Sequence, residues 1–497
     1  MKLINKILIL CCITFLVNAC SLKEEPYGFL STANFYKNAN DANAAIIDCY
    51  ANLGEVGLYS RMLFYATSYS SGEFDTKGDG GLDAHELVDW YTEPTNTTLD
   101  NIFKSCYLGI SRANGVITNV PSIAMDTLAR NQIVGEAYFL RALHYFNLVR
   151  LFGQVPMRTA VVGSSSEICT PKASLSDLYT LIESDLLKAE RLMNIKYTDG
   201  RANPVAAQAL LAKVYLHMAS SKASGVSAYS FVTNADTYYA KAATYAAKVL
   251  DPSQTTYTFW TGDLRRLWSI ANEKGNEFIF SIAMDKSGTS EGQFSKAQKN
   301  WTPYINGGLI TLGPNYTASI TDGWNQCITN TTFYNSFSAS DKRRNAWICN
   351  SVKDNTGKVY SYPGNLAFPF PIKLADTTAT SDVQGHYIPV LRYSDIALVY
   401  AEAAGPTTAG YSWINKIRGR AGLPDLTPGL GVAAFRDSVV RERSFELCFE
   451  MNRLYDLRRT NTVKSVLEGI YGKKIDSHAD FYDIPQSEVD GNPCLNQ

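Results

Sequence analysis

Apolar side chains recur with a helical period through residues 34–250, and this pattern limits the fold more than any other feature of the chain. Three segments carry it most clearly: Asn34–Leu53, Leu99–Val120 and Ile133–Phe152. One apolar face on each segment is typical of amphipathic helices that pack against one another. We therefore predict a helical first half.

Two further helices have recognisable first residues. Ser174 stands three residues before Asp177, which is the spacing of a capping box. Asn203 precedes Pro204, so an N-cap residue is followed by a proline at the first helical position. A helical pattern returns at Tyr238–Leu250. Small alanines in these stripes let neighbouring helices approach closely, and the successive helices are similar to tetratricopeptide-type hairpins.

The composition changes between residues 255 and 389, where Gly, Pro, Asn, Ser and Thr dominate. Only short strand-like pieces interrupt this region, such as Glu277–Ile282 and Tyr387–Val390. A stretch of this length is either functional or disordered, and its aromatic content argues against disorder. We predict an ordered, loop-rich lobe that carries recognition. Helices are predicted again at Tyr393–Ala404, Gly410–Ala421 and Val432–Leu457.

The N-terminus resembles a bacterial lipoprotein signal. An apolar run at residues 7–17 follows two lysines and is too short to span a bilayer. Ala19 precedes Cys20, which such a signal would leave as a lipidated N-terminus. Residues 23–25 read Lys-Glu-Glu and are similar to the surface-export signal of Bacteroidetes lipoproteins. A plain secretory signal with a chance cysteine is the alternative.

Charge and composition exclude one class of partner. The 497-residue chain has a formal net charge of −1 and lacks a basic stripe, so a nucleic-acid partner is not expected. Beyond the signal, apolar runs are too short to cross a membrane, so we expect attachment by a lipid anchor only. The 30 tyrosines suit a wet recognition surface, because tyrosine has an apolar face and a polar edge.

The cysteines after Cys20 are odd in number, which forbids complete intramolecular pairing. They are Cys49, Cys106, Cys169, Cys327, Cys349, Cys448 and Cys494. Single buried thiols are expected at Cys49, Cys106 and Cys448, which fall in helical patterns. A Cys327–Cys349 bridge is left open, because spacing alone cannot establish it.

Ordered motifs near the C-terminus carry a family resemblance. Residues 387–403 read YIPVLRYSDIALVYAEA, 414–424 read INKIRGRAGLP, 441–459 read RERSFELCFEMNRLYDLRR, and IP at 484–485 precedes NP at 492–493. These resemble the motifs of the SusD/RagB family, and FGQVP at 152–156 is similar to a motif of its front half. The chain departs from the family at Gly405, where Asn is frequent, and at Met451, where Gly is frequent. The charged residues of these motifs stand at helical spacing, so we expect ion pairs and caps rather than catalysis.

The resemblance implies a mainly α fold, with a tetratricopeptide-like α-α superhelix scaffold and a loop-rich lobe containing short strands. It implies a signal peptide at residues 1–19 and a single SusD-like domain at 20–497. The domain would comprise a helical scaffold at 20–254, the recognition lobe at 255–389, and C-terminal helices with a tail at 390–497.

The resemblance also implies a function. It is that of a non-catalytic, lipid-anchored protein of the outer-membrane surface, which captures oligosaccharides and delivers them to a SusC-like TonB-dependent transporter. A RagB-like peptide-binding lipoprotein and a secreted glycan-degrading enzyme are the alternatives. Gly288–Gly292 matches G-x-S-x-G, but the strand-like piece before it ends too early for a nucleophile elbow.

Aromatic residues beside polar ones are the candidate ligand contacts, in two regions where the resemblance places the ligand aromatics of the family. They are Trp90, Tyr91, Trp301, Tyr304, Asn306, Trp324 and Asn325. An aromatic face packs on the C–H face of a sugar, while asparagine hydrogen-bonds hydroxyls. Burial of each tryptophan in the core is the alternative.

A candidate calcium loop lies between residues 75 and 86. Its acidic residues fall at positions 1, 5, 9 and 12 of the EF-hand spacing: Asp75, Asp79, Asp83 and Glu86. Lys77 occupies a position that should be Asp or Asn, so a solvated acidic loop is the alternative. No other cofactor is expected.

Overall fold

The computed structural model describes residues 35–164, 167–195, 200–315, 317–379, 381–475 and 477–496. The predicted signal peptide and Cys20 lie outside the described residues.

Long helices form the first half of the chain, as predicted. They are α1 (Ala39–Gly54), α2 (Met62–Ser68), α3 (Leu82–Asp89), α4 (Thr97–Asn119), α5 (Thr127–Phe152), α6 (Leu175–Leu192), α7 (Pro204–Ala223) and α8 (Ala235–Leu250). The predicted starts are confirmed: the Ser174 hydroxyl accepts a hydrogen bond from the Asp177 nitrogen, and the Asn203 side chain caps α7.

Successive helices of this half pack side by side, α4 against α5, α5 against α6, α6 against α7 and α7 against α8. Fully buried alanines lie on the last pair, including Ala209, Ala212, Ala242 and Ala246. Because alanine keeps the helix axes close, the larger side chains of the neighbouring turns fill the remaining space. The predicted scaffold of paired helices is confirmed.

Short elements make up the lobe at 255–389. Its helices are α9 (Leu264–Leu267), α10 (Ala297–Trp301), α11 (Thr331–Asn335) and α12 (Lys342–Trp347). Its strands are β2 (Phe278–Ile282), β3 (Leu309–Leu312), β4 (Ala318–Thr321), β5 (Cys327–Thr329), β6 (Ile348–Cys349), β7 (Ser351–Lys353), β8 (Val359–Ser361) and β9 (Phe370–Pro371). The antiparallel sheet β4-β3-β7-β8 covers a small core of its own, which contains Ile310, Val352 and Phe370.

Two strands tie the lobe to the rest of the chain. β1 (Phe74–Thr76) pairs antiparallel with β5, and β10 (Ile388–Arg392) pairs antiparallel with β2. β10 leads directly into α13, which packs against α8 of the scaffold. The lobe is therefore joined to both helical parts by backbone hydrogen bonds.

Helices return after β10. They are α13 (Tyr393–Ala404), α14 (Thr408–Arg420), α15 (Val432–Glu446), α16 (Arg453–Arg459), α17 (Val463–Tyr471) and α18 (Gln486–Gly491).

The prediction of one helix over 432–457 is wrong, because the chain breaks between α15 and α16. Phe449 and Met451 adopt positive φ angles of 63° and 59°. The carbonyl of Glu446 accepts hydrogen bonds from the side chains of Arg392 and Lys373, at 2.6 and 3.0 Å. These tertiary contacts replace the helical partner of that carbonyl.

Candidate functional site

The strand that precedes the first candidate region, β1, pairs with the strand that follows the second, β5. Phe74 lies opposite Thr329 and Thr76 opposite Cys327. The residues that follow β1 therefore lie beside those that precede β5. The Gln326 side chain donates to the carbonyl of Gly80 at 3.4 Å, which joins the turn after β1 to the loop before β5. The two segments are far apart in the sequence, so their proximity could not be predicted from it.

A buried carboxylate fixes the loop at residues 303–308. One oxygen of Asp322 accepts hydrogen bonds from the backbone nitrogens of Ile305, Asn306 and Gly307, at 3.0, 3.0 and 2.7 Å. The Asp322 backbone nitrogen donates to the carbonyl of Gly308 at 2.9 Å. Hydrogen bonds to a charged acceptor are stronger than neutral ones, so the loop is held in one conformation.

The same loop is bonded to the segment that carries Trp324. The Tyr304 nitrogen donates to the Asn325 side chain at 2.7 Å, and the Gly323 nitrogen donates to the carbonyl of Pro303 at 3.0 Å. A Cβ atom at Gly323 would lie 1.9 Å from the carbonyl oxygen of Thr302, so only glycine fits this close approach. Asn325 has a φ of 55°, which asparagine tolerates.

Two aromatic side chains are exposed on this pair of segments. Tyr304 is 58% exposed and Trp324 is 40% exposed. The Lys296 ammonium lies 5.6 Å from the Trp324 ring centroid and forms an ion pair with Asp382 at 2.7 Å. That ammonium holds the pKa of the Asp382 carboxyl below its usual value. The arrangement places exposed aromatic faces beside a cation and a carboxylate.

Asn306 adds hydrogen-bonding capacity at the edge of this surface. Its side chain donates to the Asn355 side chain at 3.0 Å and accepts from the Gly308 nitrogen at 3.1 Å. Both asparagines are exposed. We call Tyr304, Asn306, Trp324 and Asn325 the aromatic loop surface.

Tyr91 is exposed at a second concave surface on the far end of α3. It is 47% exposed and lines a cleft of about 350 Å³ together with Thr92, Glu93 and Lys474. Lys473 forms ion pairs with Asp75 at 3.3 Å and with Asp89 at 3.1 Å, which fixes the C-terminal segment beside α3.

Comparison with known proteins gives the family. The sequence model of the SusD family matches residues 276–497, and a SusD-like model described as "Starch-binding associating with outer membrane" matches residues 34–216. The chain belongs to the SusD family.

Relatives of this SusD-family protein align over most of its length. SusD-like protein P2 from Formosa agariphila is 27% identical over 484 residues, which cover 89% of this chain and 88% of the relative. A SusD-like protein from Bacteroides ovatus is 23% identical over 489 residues, which cover 91% of this chain and 82% of the relative.

Solved structures share the fold. A laminarin-binding SusD-like protein has a TM-score of 0.76 at 24% identity, covering 92% of this chain and 98% of its own. Surface glycan-binding protein A from Bacteroides uniformis has a TM-score of 0.73 at 19% identity, with the same coverage of 92% and 98%. Helices long and apolar enough to cross a membrane are absent from the described part of this SusD-family protein.

The charged residues of the C-terminal family motifs form buried ion pairs, as predicted. The Arg392 guanidinium bonds Glu446 at 2.8 Å, Glu450 at 2.7 Å and Glu277 at 3.2 Å. Burial alone would raise the pKa of Glu446, but the guanidiniums around it outweigh burial and lower that pKa to about 2. These side chains hold the end of α15 and the segment that follows it against β10 and are structural.

Two predicted contact residues of the SusD-family protein lie in the core. Trp301 is 2% exposed, and its ring centroid lies 4.8 Å from that of Phe64 and 6.3 Å from that of Phe74. Trp90 is 4% exposed and ends α3 with a φ of 62°. The expectation of a stacking face at these two tryptophans is corrected, and it is kept for Trp324, Tyr304 and Tyr91.

The four carboxylates of the candidate calcium loop do not converge. Asp75 lies in β1 and bonds Asn330 at 2.8 Å, whereas Glu86 lies in α3 and bonds Asn96 at 2.7 Å. The remaining two are also engaged elsewhere, Asp79 with Lys77 and Asp83 with Thr97. Within the described residues, no three His, Cys, Asp or Glu side chains gather as metal ligands. The residues therefore do not fit a calcium site, because a strand and a helix divide the predicted loop.

The cysteines pair in a way that sequence spacing did not indicate. Cys169 and Cys494 form a disulfide across 325 residues of chain. Cys49, Cys106 and Cys448 are buried free thiols, as predicted, and so are Cys327 and Cys349, which do not bridge.

Proposed function

We propose that this SusD-family protein is a non-catalytic glycan-capture protein of the cell surface, which binds oligosaccharides at the aromatic loop surface. The observation that carries the proposal is the exposure of Tyr304 and Trp324 on segments fixed by Asp322. The related structures include a laminarin-binding protein and a surface glycan-binding protein, which supports the same class of ligand.

The chemistry of the surface fits a sugar. An exposed aromatic ring covers the apolar C–H face of a pyranose, while neighbouring amide groups exchange hydrogen bonds with its hydroxyls. Asn306 supplies such a group, and the Lys296–Asp382 pair supplies a donor and an acceptor beside the Trp324 ring. Because Asp322 fixes the loop beforehand, little conformational entropy is lost on binding.

The proposal extends to location and delivery. Cys20 would carry the lipid anchor, and residues 23–25 would direct the protein to the outer face of the outer membrane. From there the ligand would pass to a SusC-like TonB-dependent transporter. Replacing residues 23–25 by alanine should leave lipidation intact but keep the protein on the periplasmic face. Surface labelling of intact cells measures this, and undiminished labelling would contradict the proposed export signal.

The binding proposal is tested by affinity for a panel of neutral glycans, measured by calorimetry on the protein without its signal peptide. Trp324→Ala and Tyr304→Ala should each weaken binding at least about tenfold, because each removes a stacking face. Both variants should melt at the wild-type temperature, since both side chains are exposed. Leu128→Ala, which truncates a 62% exposed side chain on α5, is the matched control and should bind normally.

The same experiment separates the rival functions. A peptide library in place of the glycan panel tests a RagB-like peptide-binding function, and chromatography of the incubated glycans tests hydrolysis. Binding of peptides alone, or release of shortened glycans, would overturn the proposal. Unchanged affinity in Trp324→Ala would remove Trp324 from the site.

A further inference from the structure

Another concave surface lies in the recognition lobe, away from both the aromatic loop surface and the cleft beside Tyr91. It is a cleft of about 720 Å³ between α9, α12, the turn at 313–315 and the last turn of α14. Its volume is within the range of small-ligand sites. None of its lining residues belongs to the loop at 303–308 or to β1 and β5. We call it the α9–α14 cleft.

Positive side chains outnumber negative ones in the lining of the α9–α14 cleft. Arg265, Lys342, Lys416 and Arg420 line it, and Asp263 is the acidic residue among the lining residues. The Asp263 carboxylate accepts hydrogen bonds from the backbone nitrogens of Arg265 and Arg266, at 2.8 and 3.1 Å. This carboxylate caps α9, and among the described residues no salt bridge joins it to the cations of the cleft.

Within the part of the chain that the structure describes, three of the four cations have no carboxylate partner. Arg420 pairs with Glu446 at 2.5 Å. The Arg265 guanidinium instead donates to two neutral carbonyls, those of Gly313 and Asn345, both at 3.0 Å. Over the described ranges, Arg265, Lys342 and Lys416 form no salt bridge. Three uncompensated positive charges therefore surround one concavity in a chain whose formal net charge is −1.

Each of these three residues is anchored in the wall of the cleft through its side chain or its backbone. The bonds of Arg265 tie α9 to the turn at 313–315 and to α12. The Lys342 backbone nitrogen donates to the carbonyl of Ala421 at 2.9 Å, which fixes the start of α12 at the end of α14. The Lys416 ammonium lies 5.0 Å from the Phe259 ring and 4.7 Å from the Trp413 ring. Cation–π contacts of this kind orient an ammonium without neutralising it.

Polar, uncharged groups complete the lining. Thr261, Asn315 and Asn345 are exposed there and supply hydroxyl and amide groups. Cations bind carboxylate or sulfate oxygens through charge-assisted hydrogen bonds, and amides bind hydroxyls. A small inorganic anion would leave most of the 720 Å³ unfilled.

We propose that the α9–α14 cleft is a second binding site, which takes anionic oligosaccharides bearing carboxylate or sulfate groups. The inference adds an acidic-sugar site to the proposed glycan-capture function, and it rests on that function only for the saccharide class. Because Trp324 lies outside the cleft, Trp324→Ala should leave this binding unchanged. A failure of one site can therefore be distinguished from a failure of the other.

The test compares charged and uncharged forms of the same sugar by calorimetry at low ionic strength. One pair is tri-galacturonate and its methyl ester, and the other is a κ-carrageenan oligosaccharide and the corresponding neutral agarose oligosaccharide. We expect the wild type to bind at least one charged form about tenfold more tightly than its neutral counterpart, because the cleft supplies cations for the anionic groups. The pair that discriminates identifies the anionic group as carboxylate or sulfate.

Gly419→Glu is the sharpest variant. A Cβ atom at Gly419 would meet nothing within 4 Å, so this lining position has room for a carboxylate side chain. It should weaken binding of the charged sugar about tenfold by introducing a like charge. Gly469→Glu is the matched control, because Gly469 lies in α17 and is equally open. Lys342→Gln with Lys416→Gln should also weaken binding and reduce its salt dependence.

Three outcomes would overturn the inference. Equal affinity for charged and neutral forms of both sugars would show that the cleft does not recognise anionic saccharides. Unchanged affinity in Gly419→Glu would place the anionic sugar elsewhere. Binding of poly-glutamate in preference to both sugars, with loss in Gly419→Glu, would assign the cleft to acidic peptides.

Discussion

Glu73 accepts a hydrogen bond from the backbone nitrogen of Phe449 at 3.0 Å, across 376 residues of chain. Glu73 directly precedes β1, which leads to the turn beside the aromatic loop surface, and Phe449 lies at the break between α15 and α16. The carboxyl is 1% exposed, and burial raises its pKa to about 7, although Arg453 and Lys373 oppose the rise. The carboxyl group of Glu73 therefore titrates near neutral pH.

Glu73→Gln should change how stability depends on pH. The folded-state pKa of about 7 lies above the usual value of 4.5, so the native state binds this proton more tightly than the unfolded state. The contribution of Glu73 is therefore fully present below pH 4.5 and is lost as pH rises through about 7. Glutamine mimics the neutral carboxyl, so the variant should gain on the order of 3 kcal/mol over wild type by pH 8.

Urea unfolding at several pH values between 4.5 and 8 measures this difference. Glu55→Gln removes an exposed carboxylate and serves as the control for loss of one charge. A difference between Glu73→Gln and wild type that stays constant over this range would contradict the pKa of Glu73.

Much of the helical fold was predictable because its signals are local. The hydroxyl of Ser174 and the Asn203-Pro204 pair mark helix starts through contacts within one turn. The break after α15 was not predictable in this way, because its cause is tertiary: Arg392 and Lys373 bind the Glu446 carbonyl from other elements. One sequence signal was available, since the family often has Gly at position 451, where Met451 adopts a positive φ.

The candidate site was predictable in its regions but not in its exposed faces. Trp301 and Trp324 are equally aromatic in sequence, but one is 2% exposed and the other 40%. Burial depends on long-range packing, as between Trp301 and Phe64, which the local pattern does not contain. Asp322 was missed because its role lies in three backbone hydrogen bonds to a loop more than a dozen residues earlier.

Asp322→Ala should release the loop at 303–308 while both exposed rings stay in the sequence. The substitution leaves three backbone N–H groups without their acceptor, and each lost bond to a charged group costs about 1.5–3 kcal/mol. The backbone amides of Ile305, Asn306 and Gly307 should then exchange with deuterium much faster. Any glycan bound by wild type should bind more weakly, because the loop must be ordered on binding.

Asp285→Ala is the matched control for the loop. Asp285 accepts a hydrogen bond from the Ser287 nitrogen at 2.9 Å in another turn of the same lobe. Its loss should leave exchange at residues 305–307 unchanged. If those three amides exchanged in Asp322→Ala at the same rate as in the wild type, the carboxylate would not be what fixes the loop.

Arg392→Met should destabilise the fold by about 3–5 kcal/mol, because it removes a buried cation that three buried carboxylates share. Arg392 is 1% exposed and bonds Glu446, Glu450 and Glu277. Urea unfolding at pH 7 measures the loss, and the exposed Arg441→Met is the control. Adding Glu277→Gln to Arg392→Met should recover part of the stability, since the ion pair that the Glu277 carboxylate then keeps is the long one with Arg420, at 4.0 Å. If Arg392→Met alone were as stable as the wild type, the stabilising role of the ion-pair network would be contradicted.

Removal of the Cys169–Cys494 bridge should loosen the C-terminal end of the chain. The bridge closes a loop of 325 residues, so its loss should cost on the order of 5 kcal/mol by raising the entropy of the unfolded state. The Asn492 side chain still bonds the backbone of Thr170, at 2.7 and 3.2 Å, so the segment should loosen rather than detach. We expect Cys169→Ala with Cys494→Ala to lower the melting temperature and speed carboxypeptidase digestion. Cys349→Ala, which removes a buried free thiol, is the control. Equal rates of digestion of the wild type and of the double variant would contradict the role of the bridge.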